Sequence, residues 1–554
     1  MTKRLLSTAA VAAMSVSSLF AQANLGTDCG CPSVASRPTV LLSTLADANG
    51  DLTSANTILS CDKTWILDKK IYVPASKTLT IEPGTVIKGR YQAVKADATA
   101  LIVERDAKIF ASGTEKCQIV FTAEDDNLDG TYPIANSGKW GGVVILGKAK
   151  NNLIVGNAYS GGTDGVGFIE GFSAANSRDL YGGTDDDDNS GILRYVSIRH
   201  SGTQIADANE LNGLSLGSVG RGTQIDHIEI ISSDDDNIEV FGGTVNLKYI
   251  TTMYGADDML DYDLGWTGKA QFIFGVADPS NSIGQSYPGS SDNGFEMDAD
   301  DDKKSPALKS HPIIYNATFI GNGIETPTAD NSGPAAIQAK ELTQGEIYNS
   351  IFAGFRSGLH LATGRSTTTY KGDAYDNWTD ADNSYNDGLS GGNAVKHSLI
   401  IKNNTFIGNT YKITTGALTT GKNPAVLKIA TLGSAADSTQ FYADGNLTPA
   451  SIPGFTYTWA FNNSTNATTT AFDAIPASNL ASTIVPPTDG FFTPVAYRGA
   501  FDASKPSWLS GWSYAALLKT TAGLQDNPTD INKDGKTDLT DFNMLVAKYG
   551  QLNK

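Results

Sequence analysis

Short apolar runs of strand length recur along most of the chain with Gly, Asn and Asp between them, and no long 3.6-residue periodicity appears before the final stretch. LTIEPGTVIKG (79–89) and LIVERDAKIFASGT (101–114) alternate apolar and polar positions between turns, and IVFTAEDD (119–126) follows. The pattern predicts an all-β chain. In the middle, SDDDNIEVFGG (233–243), ADDMLDYDLGW (256–266) and SDNGFEMDAD (291–300) fall into register, with Ile238, Leu260 and Phe295 in one column and Glu239, Asp261 and Glu296 in the next. The first step is 22 residues and the second 35, one repeat plus an inserted polar loop; Ile225 and Leu247 are again 22 apart. Asn316, Asn349 and Asn403 form a later column. Short strands at this period with no helix between them predict a parallel β-helix whose coils stack at about 4.8 Å. Inward Ile, Leu, Val and Phe would form ladders, and inward Asn would bond to its copies above and below. A set of antiparallel sandwiches would instead show hairpin turns such as Asn-Gly at regular intervals.

Composition narrows the setting. The formal net charge is −18, and it becomes more negative once Lys3 and Arg4 are removed with the first 23 residues, which read as a secretory signal ending at Ala21-Gln22-Ala23. Such a chain repels nucleic acid and anionic membranes and favours cations. No later stretch is apolar enough for a membrane span. Cys29, Cys31, Cys61 and Cys117 are disulfide candidates, with three pairings open and a metal site at Cys29-Gly-Cys31 as the alternative.

TLTIEPGTVIKG, KWGGVVILGKA, DNSGILRYVSIRHSG, FGGTVNLKYI and YRGAFDASKPSWLSGW, with LIVERDAKIFASGT, resemble a family of exported bacterial β-helix proteins within the pectin-lyase-like superfamily, over roughly residues 60–515. Some of its members are surface lipoproteins. The resemblance implies a right-handed helix and an extracellular or surface location, and it carries no settled activity.

Stacking at this repeat puts Asp235, Asp257 and Asp292 in one file, Asp236 and Asp258 in a second, and Glu239, Asp261 and Glu296 in a third. Carboxylates one coil apart raise one another's pKa or recruit a cation. Calcium, lysines such as Lys269, Lys303 and Lys304, or a catalytic acid/base pair would each answer the charge. DLYGGTDDDDNSG (179–191) supplies another cluster of hard oxygens of the kind calcium takes. Asp258, Asp261, Glu239 and Glu296 are the catalytic candidates, because polygalacturonase-like β-helices also place aspartates on adjacent coils and two carboxylates suffice for glycoside hydrolysis. ISSDDDNIEVFGG is similar to their Gly-Asp-Asp region, but their following His-Gly and Arg-Ile-Lys elements have no counterpart here. His360 falls in the column of Glu296. Trp140, Trp266, Trp378, Tyr287 and Tyr370 are candidates for stacking on sugar rings, with buried packing the commoner fate.

The tail DINKDGKTDLTDFNMLVAKYG (530–550) spaces Asp530, Asn532, Asp534, the backbone of Lys536, Asp538 and Asp541 as the ligands of a twelve-position calcium loop, with Gly535 at the sharp turn. Leu539, Phe542, Leu545, Val546 and Tyr549 then give a helical stripe. Asp541 at the twelfth position, followed at once by the helix, makes the segment similar to a dockerin type I repeat. A dockerin has two such repeats and this tail one, and Thr537 stands where that family prefers Val or Ile.

The expected layout is a signal peptide (1–23), a cysteine-bearing amino-terminal cap (24–64), a right-handed parallel β-helix (65–500), a cap and linker (501–525) and a calcium loop with a short helix (526–554). The expected role is a secreted, calcium-binding, non-catalytic surface or matrix protein whose partners are calcium, copies of itself, a cell-surface scaffold or a polysaccharide. The alternative is a polysaccharide hydrolase or lyase.

Overall fold

A computed structural model describes residues 25–206, 209–278, 293–299, 308–322, 334–339, 343–355, 357–361, 399–408, 427–429, 441–458 and 471–517. The signal segment, Asp292, Lys303, Lys304, Tyr287, Tyr370, Trp378 and the whole calcium loop from Asp530 to Asp541 lie outside the described residues.

The chain winds into a right-handed parallel β-helix. One sheet runs from Thr39–Leu41 through Thr64–Leu67, Val86–Gly89, Ile119–Ala123, Gly191–Arg199, Gln224–Ile231, Asn246–Met253, Lys269–Val276 and Ile313–Ile320 to Leu399–Lys402. A second, ten-stranded sheet runs from Ile71–Val73 through Leu101–Val103, Val143–Leu146, Leu214–Gly217, Ile238–Phe241, Leu260–Asp263, Phe295–Met297, Ala335–Ala339 and Ser357–Leu361 to Leu427–Ile429. Every pairing within these paths is parallel, and the predicted columns are register partners: Ile225 with Leu247, Ile238 with Leu260, and Leu260 with Phe295. Among the described residues antiparallel strand pairs are confined to two-stranded sheets such as Gly167–Phe168 against Leu180–Tyr181. The sandwich alternative fails because strands adjacent in space are a full coil apart in sequence. Among the described residues no helix is long and apolar enough to cross a membrane.

Alternation explains the core. Within Gln224–Ile231, Ile225, Ile228 and Ile230 point inward onto Leu247, Ile250 and the coils beyond, while Asp226 and Glu229 point out. Towards the far end Phe319, Phe352 and Phe406 stack on successive coils with ring centroids 6.1 and 5.1 Å apart. The long strands of the first sheet bend at one residue whose φ is positive: Tyr195, His227, Tyr249, Phe272, Asn316, Asn349 and Asn403, with φ between 49° and 59°. For the aromatic members this left-handed backbone costs roughly 1–2 kcal/mol each. Stacking offsets it, since Tyr195–His227 and His227–Tyr249 centroids are both 4.4 Å apart and Tyr249–Phe272 5.1 Å. The Asn column is therefore not an inward ladder. Asn403 does donate to Asn349 at 3.3 Å, but Asn316 Nδ2 donates to the Tyr497 carbonyl at 2.8 Å and Asn349 Nδ2 to that of Ile484 at 2.8 Å. Both reach out to a later segment.

That segment, about residues 480–516, is a strap along the outer face of the first sheet. It passes from Ser482, bonded to Asn349, down to Phe491 and Thr493 beside Lys248, and returns to Asn403 and Asn404 at Arg498. It then descends again through Ala500, Phe501 and Trp508 to Trp512 and the helical turn Tyr514–Leu517. A second apolar core forms between them, containing Ile231, Met253, Phe274, Val276, Ile320, Ile351, Phe501 and Trp512. At the strap's lower end Glu229, fully buried, accepts from Ser513 Oγ (2.7 Å) and the Tyr514 and Ala515 amides (2.8 and 3.2 Å), while Arg199 lies 3.6 Å from it and 4.2 Å over the Tyr514 ring.

The cysteines form two disulfides, Cys29–Cys117 and Cys31–Cys61, which fasten the first described residues to two coils. This settles the pairing and rules out the Cys29-Gly-Cys31 metal site. A segment of about residues 149–181 folds over the early coils of the second sheet, burying Ile102, Val144, Leu153, Ile169 and Tyr181.

Candidate functional site: stacked carboxylates

The acidic turns begin at a second left-handed column, His200, Ser232 and Tyr254, which swings the chain off the first sheet at the same place on successive coils. That common bend keeps the turns 233–237 and 256–259 in register. One oxygen of each buried acid is then used between coils: Asp236 Oδ1 accepts the Asp258 amide at 2.8 Å, Asp258 Oδ1 accepts the Asn293 amide, and Asn293 Oδ1 accepts the Ala335 amide at 2.9 Å. Sequence reading found the Asp236–Asp258 file and stopped there. It continues through Asn293, because the position needs an acceptor for the next amide and an asparagine carbonyl serves as well as a carboxylate.

Glu239, Asp261 and Glu296 are register partners on the outward side of the second sheet and are partly exposed. The file runs from Ser215 before them to Gln338 and then His360 after them. Asn212 Nδ2 donates to Glu239, and Gln338 Nε2 donates to Glu296 Oε1 at 3.3 Å. Asp235 and Asp257 stand beside this file in the turns.

Oxygens of Asp235, Asp236 and Asp257 all lie within 4.8 Å of one another, and so do those of Asp236, Glu239 and Asp261. Asp236 belongs to both groups. Burial, then the charge of Asp257, pushes the Asp235 carboxyl well above its ordinary range; burial and Asp235 do the same to Asp236, burial and Asp261 to Glu239, and burial and Glu296 to Asp258. Asp258 is fully buried, and among the described residues its Oδ2 receives no hydrogen bond from an N–H group or hydroxyl. Two further acids, Glu210 and Glu170, add to the field at Asp235. Both come from segments outside the repeat, so no periodicity points to them. Oxygens this close, on carboxyls that are harder than usual to ionise when alone, are suited to sharing a hard cation. Oxygens around one calcium ion at about 2.3–2.6 Å stand no more than about 5 Å apart, so the donor set fits.

The remaining candidates fall elsewhere. Lys269 does not neutralise the files, for it pairs with Asp489 at 2.5 Å against the strap. In the 179–191 stretch Asp186 pairs with Lys150 at 2.6 Å and Asp187 with Arg221 at 2.8 Å, so internal cations answer the charge that suggested calcium there. Trp140 and Trp266 are buried against Phe121 and Tyr262 and offer no sugar platform.

No curated protein and no solved structure matches the chain. A family model described as a pectate-lyase-like β-helix domain matches residues 50–430, more than half of the 554 residues, and the chain belongs to that family.

Proposed function

We propose that this is an exported, non-catalytic surface or matrix protein that binds calcium through its stacked coils. One cation is held by Asp235, Asp236 and Asp257 and a second by Asp236, Glu239 and Asp261, with Asp236 bridging. The tail loop Asp530, Asn532, Asp534, Lys536, Asp538 and Asp541 takes another and serves attachment to a scaffold, a polysaccharide or a second copy. The observation that carries the calcium reading is the approach of three carboxylates within 4.8 Å in each group. Glycoside hydrolysis asks for carboxyl groups about 5–5.5 or 6.5–9.5 Å apart with space for sugar or water between them, and is the weaker reading. Two disulfides support an oxidising compartment.

Calorimetric calcium titration of the chelated chain tests the reading, with Asp236→Asn and with Asp530→Asn/Asp534→Asn. The tail variant is expected to lose one component and Asp236→Asn a separate one. If Asp236→Asn binds as many ions as the parent, the coils hold none. Release of reducing sugar from neutral or acidic polysaccharides, lost in Asp261→Asn, would restore the hydrolase reading.

A further inference from the structure

The file of turn residues that passes from Asp236 through Asp258 to Asn293 begins one coil earlier, at Asn212. Leu214 and Ile238 are register partners and the Gly213 amide donates to the Asp236 carbonyl at 3.0 Å, so Asn212 stands next to Asp236 on the preceding coil. From Asp236 onward, one side-chain oxygen of each member accepts the amide of the following coil. Asn212 departs from that rule. It is 2 % exposed, and among the described residues its Oδ1 accepts no hydrogen bond. Its Nδ2 is committed to Glu239 Oε2 and, at 3.4 Å, to Ser215 Oγ, which settles which atom of the amide is the oxygen.

Oδ1 therefore sits one amide width from a carboxylate of the Asp236, Glu239 and Asp261 group, whose oxygens lie within 4.8 Å of one another. A buried carbonyl oxygen without a donor is costly, and either an N–H group or a cation removes that cost. Its neighbours decide between the two, because three carboxylates draw a cation. The other end of the file has the opposite polarity. Asn293 spends its oxygen on the Ala335 amide, its Nδ2 is buried with no acceptor among the described residues, and Gln338 turns an N–H group to Glu296. Hydrogens facing the file repel a cation, whereas the spare oxygen at its start attracts one. Both close groups of carboxylates lie towards that start, on the coils of Asp236 and Asp261. Calcium takes about six to eight oxygens and accepts neutral amide oxygens among them.

We infer that Asn212 Oδ1 is a ligand of the cation held by Asp236, Glu239 and Asp261, the neutral member of that set. The inference rests on the calcium reading and extends it by one coil, since the ion then joins the coils of Asn212, of Asp236 with Glu239, and of Asp261. Terbium, a hard ion that takes the same oxygens as calcium, is the probe, on the full chain carrying Asp530→Asn/Asp534→Asn so that the coils alone are read. Its luminescence lifetimes in light and heavy water count the waters on each bound ion, and competition by calcium gives the affinity. Asn212→Leu is expected to add about one water to one ion and to weaken calcium there about tenfold or more. Asn212→Asp keeps the oxygen and gives up the N–H bond to Glu239, so its water count should equal the parent's and its calcium affinity should be equal or higher. An unchanged count in Asn212→Leu overturns the inference. So does a loss in Asn212→Asp as large as in Asn212→Leu, which would assign Asn212 to its bond on Glu239 alone. Both results leave calcium binding by the coils standing. If the parent in this background takes up no terbium, the calcium reading falls and the inference with it. Should Asn212→Leu fail to fold, Asn212→Ala carries the same expectation.

Discussion

Asp235, Asp236, Glu239 and Asp258 retain protons in the folded chain that the unfolded chain gives up, because burial and one another's charge raise them all. Without a cation, their contribution to stability is present below about pH 4 and is lost as pH rises through the raised values, at about 1.4 kcal/mol per pKa unit. Asp489, pushed down to about 2 mainly by its bond to Lys269 against the cost of burial, acts in the opposite sense, but its effect is complete above about pH 4. The urea midpoint of the chelated protein is therefore expected to fall as pH rises above about 4, and added calcium to remove the fall. A flat profile in chelator would contradict the raised carboxyls. Asn349 presents a different single-residue case, with positive φ and side-chain bonds to the strap on both ends of its amide. Asn349→Ala should cost about 2–3 kcal/mol by chemical denaturation and Asn349→Gly less, since glycine relieves the backbone. The carboxylate files could be read from residues alone because a fixed coil length turns sequence spacing into vertical position. Glu170 and Glu210 could not, because loops of no fixed length deliver them.

The strap is the element that pattern reading could not place. YRGAFDASKPSWLSGW identifies a resemblance, but a segment that lies along a flank has no alternation of its own, and its apolar residues take their spacing from the coils beneath. What holds it is visible only in three dimensions: Glu229 receives the start of the Tyr514–Leu517 turn and faces Arg199. Glu229→Ala leaves Arg199 buried without its carboxylate and is expected to cost about 3–5 kcal/mol. The lower strap should then release, seen as faster proteolysis near Trp508 and a red-shifted tryptophan emission. An unchanged proteolytic pattern would mean that the apolar contacts of Phe501 and Trp512 suffice without the buried pair.

At the scale of the molecule, each coil is stabilised by its two neighbours, so local fasteners count beyond their own contacts. Cys29–Cys117 closes 88 residues and Cys31–Cys61 closes 30, both at the first coils. Reduction should lower stability by about 2–4 kcal/mol per bridge, and hydrogen exchange should show the loss spreading from Thr64–Leu67 and Val86–Gly89 rather than from the last coils. The overall fold was legible because parallel stacking repeats one short pattern many times. The candidate site was only partly so: its carboxylates repeat with the coil, whereas Glu170 and Glu210, which add to their field, come from outside the repeat.

The descending strap also decides where the molecule can be held. Gly511 packs against Glu115, two residues from Cys117, which is itself joined to Cys29. The two ends of the described chain therefore lie at different heights, Leu25 against Val86 and Val120 and Tyr514 against Arg199 and Glu229. A pull at Leu517 would be met first by the Glu229 bonds that hold the helical turn, and a pull at Leu25 by the two disulfides beside it.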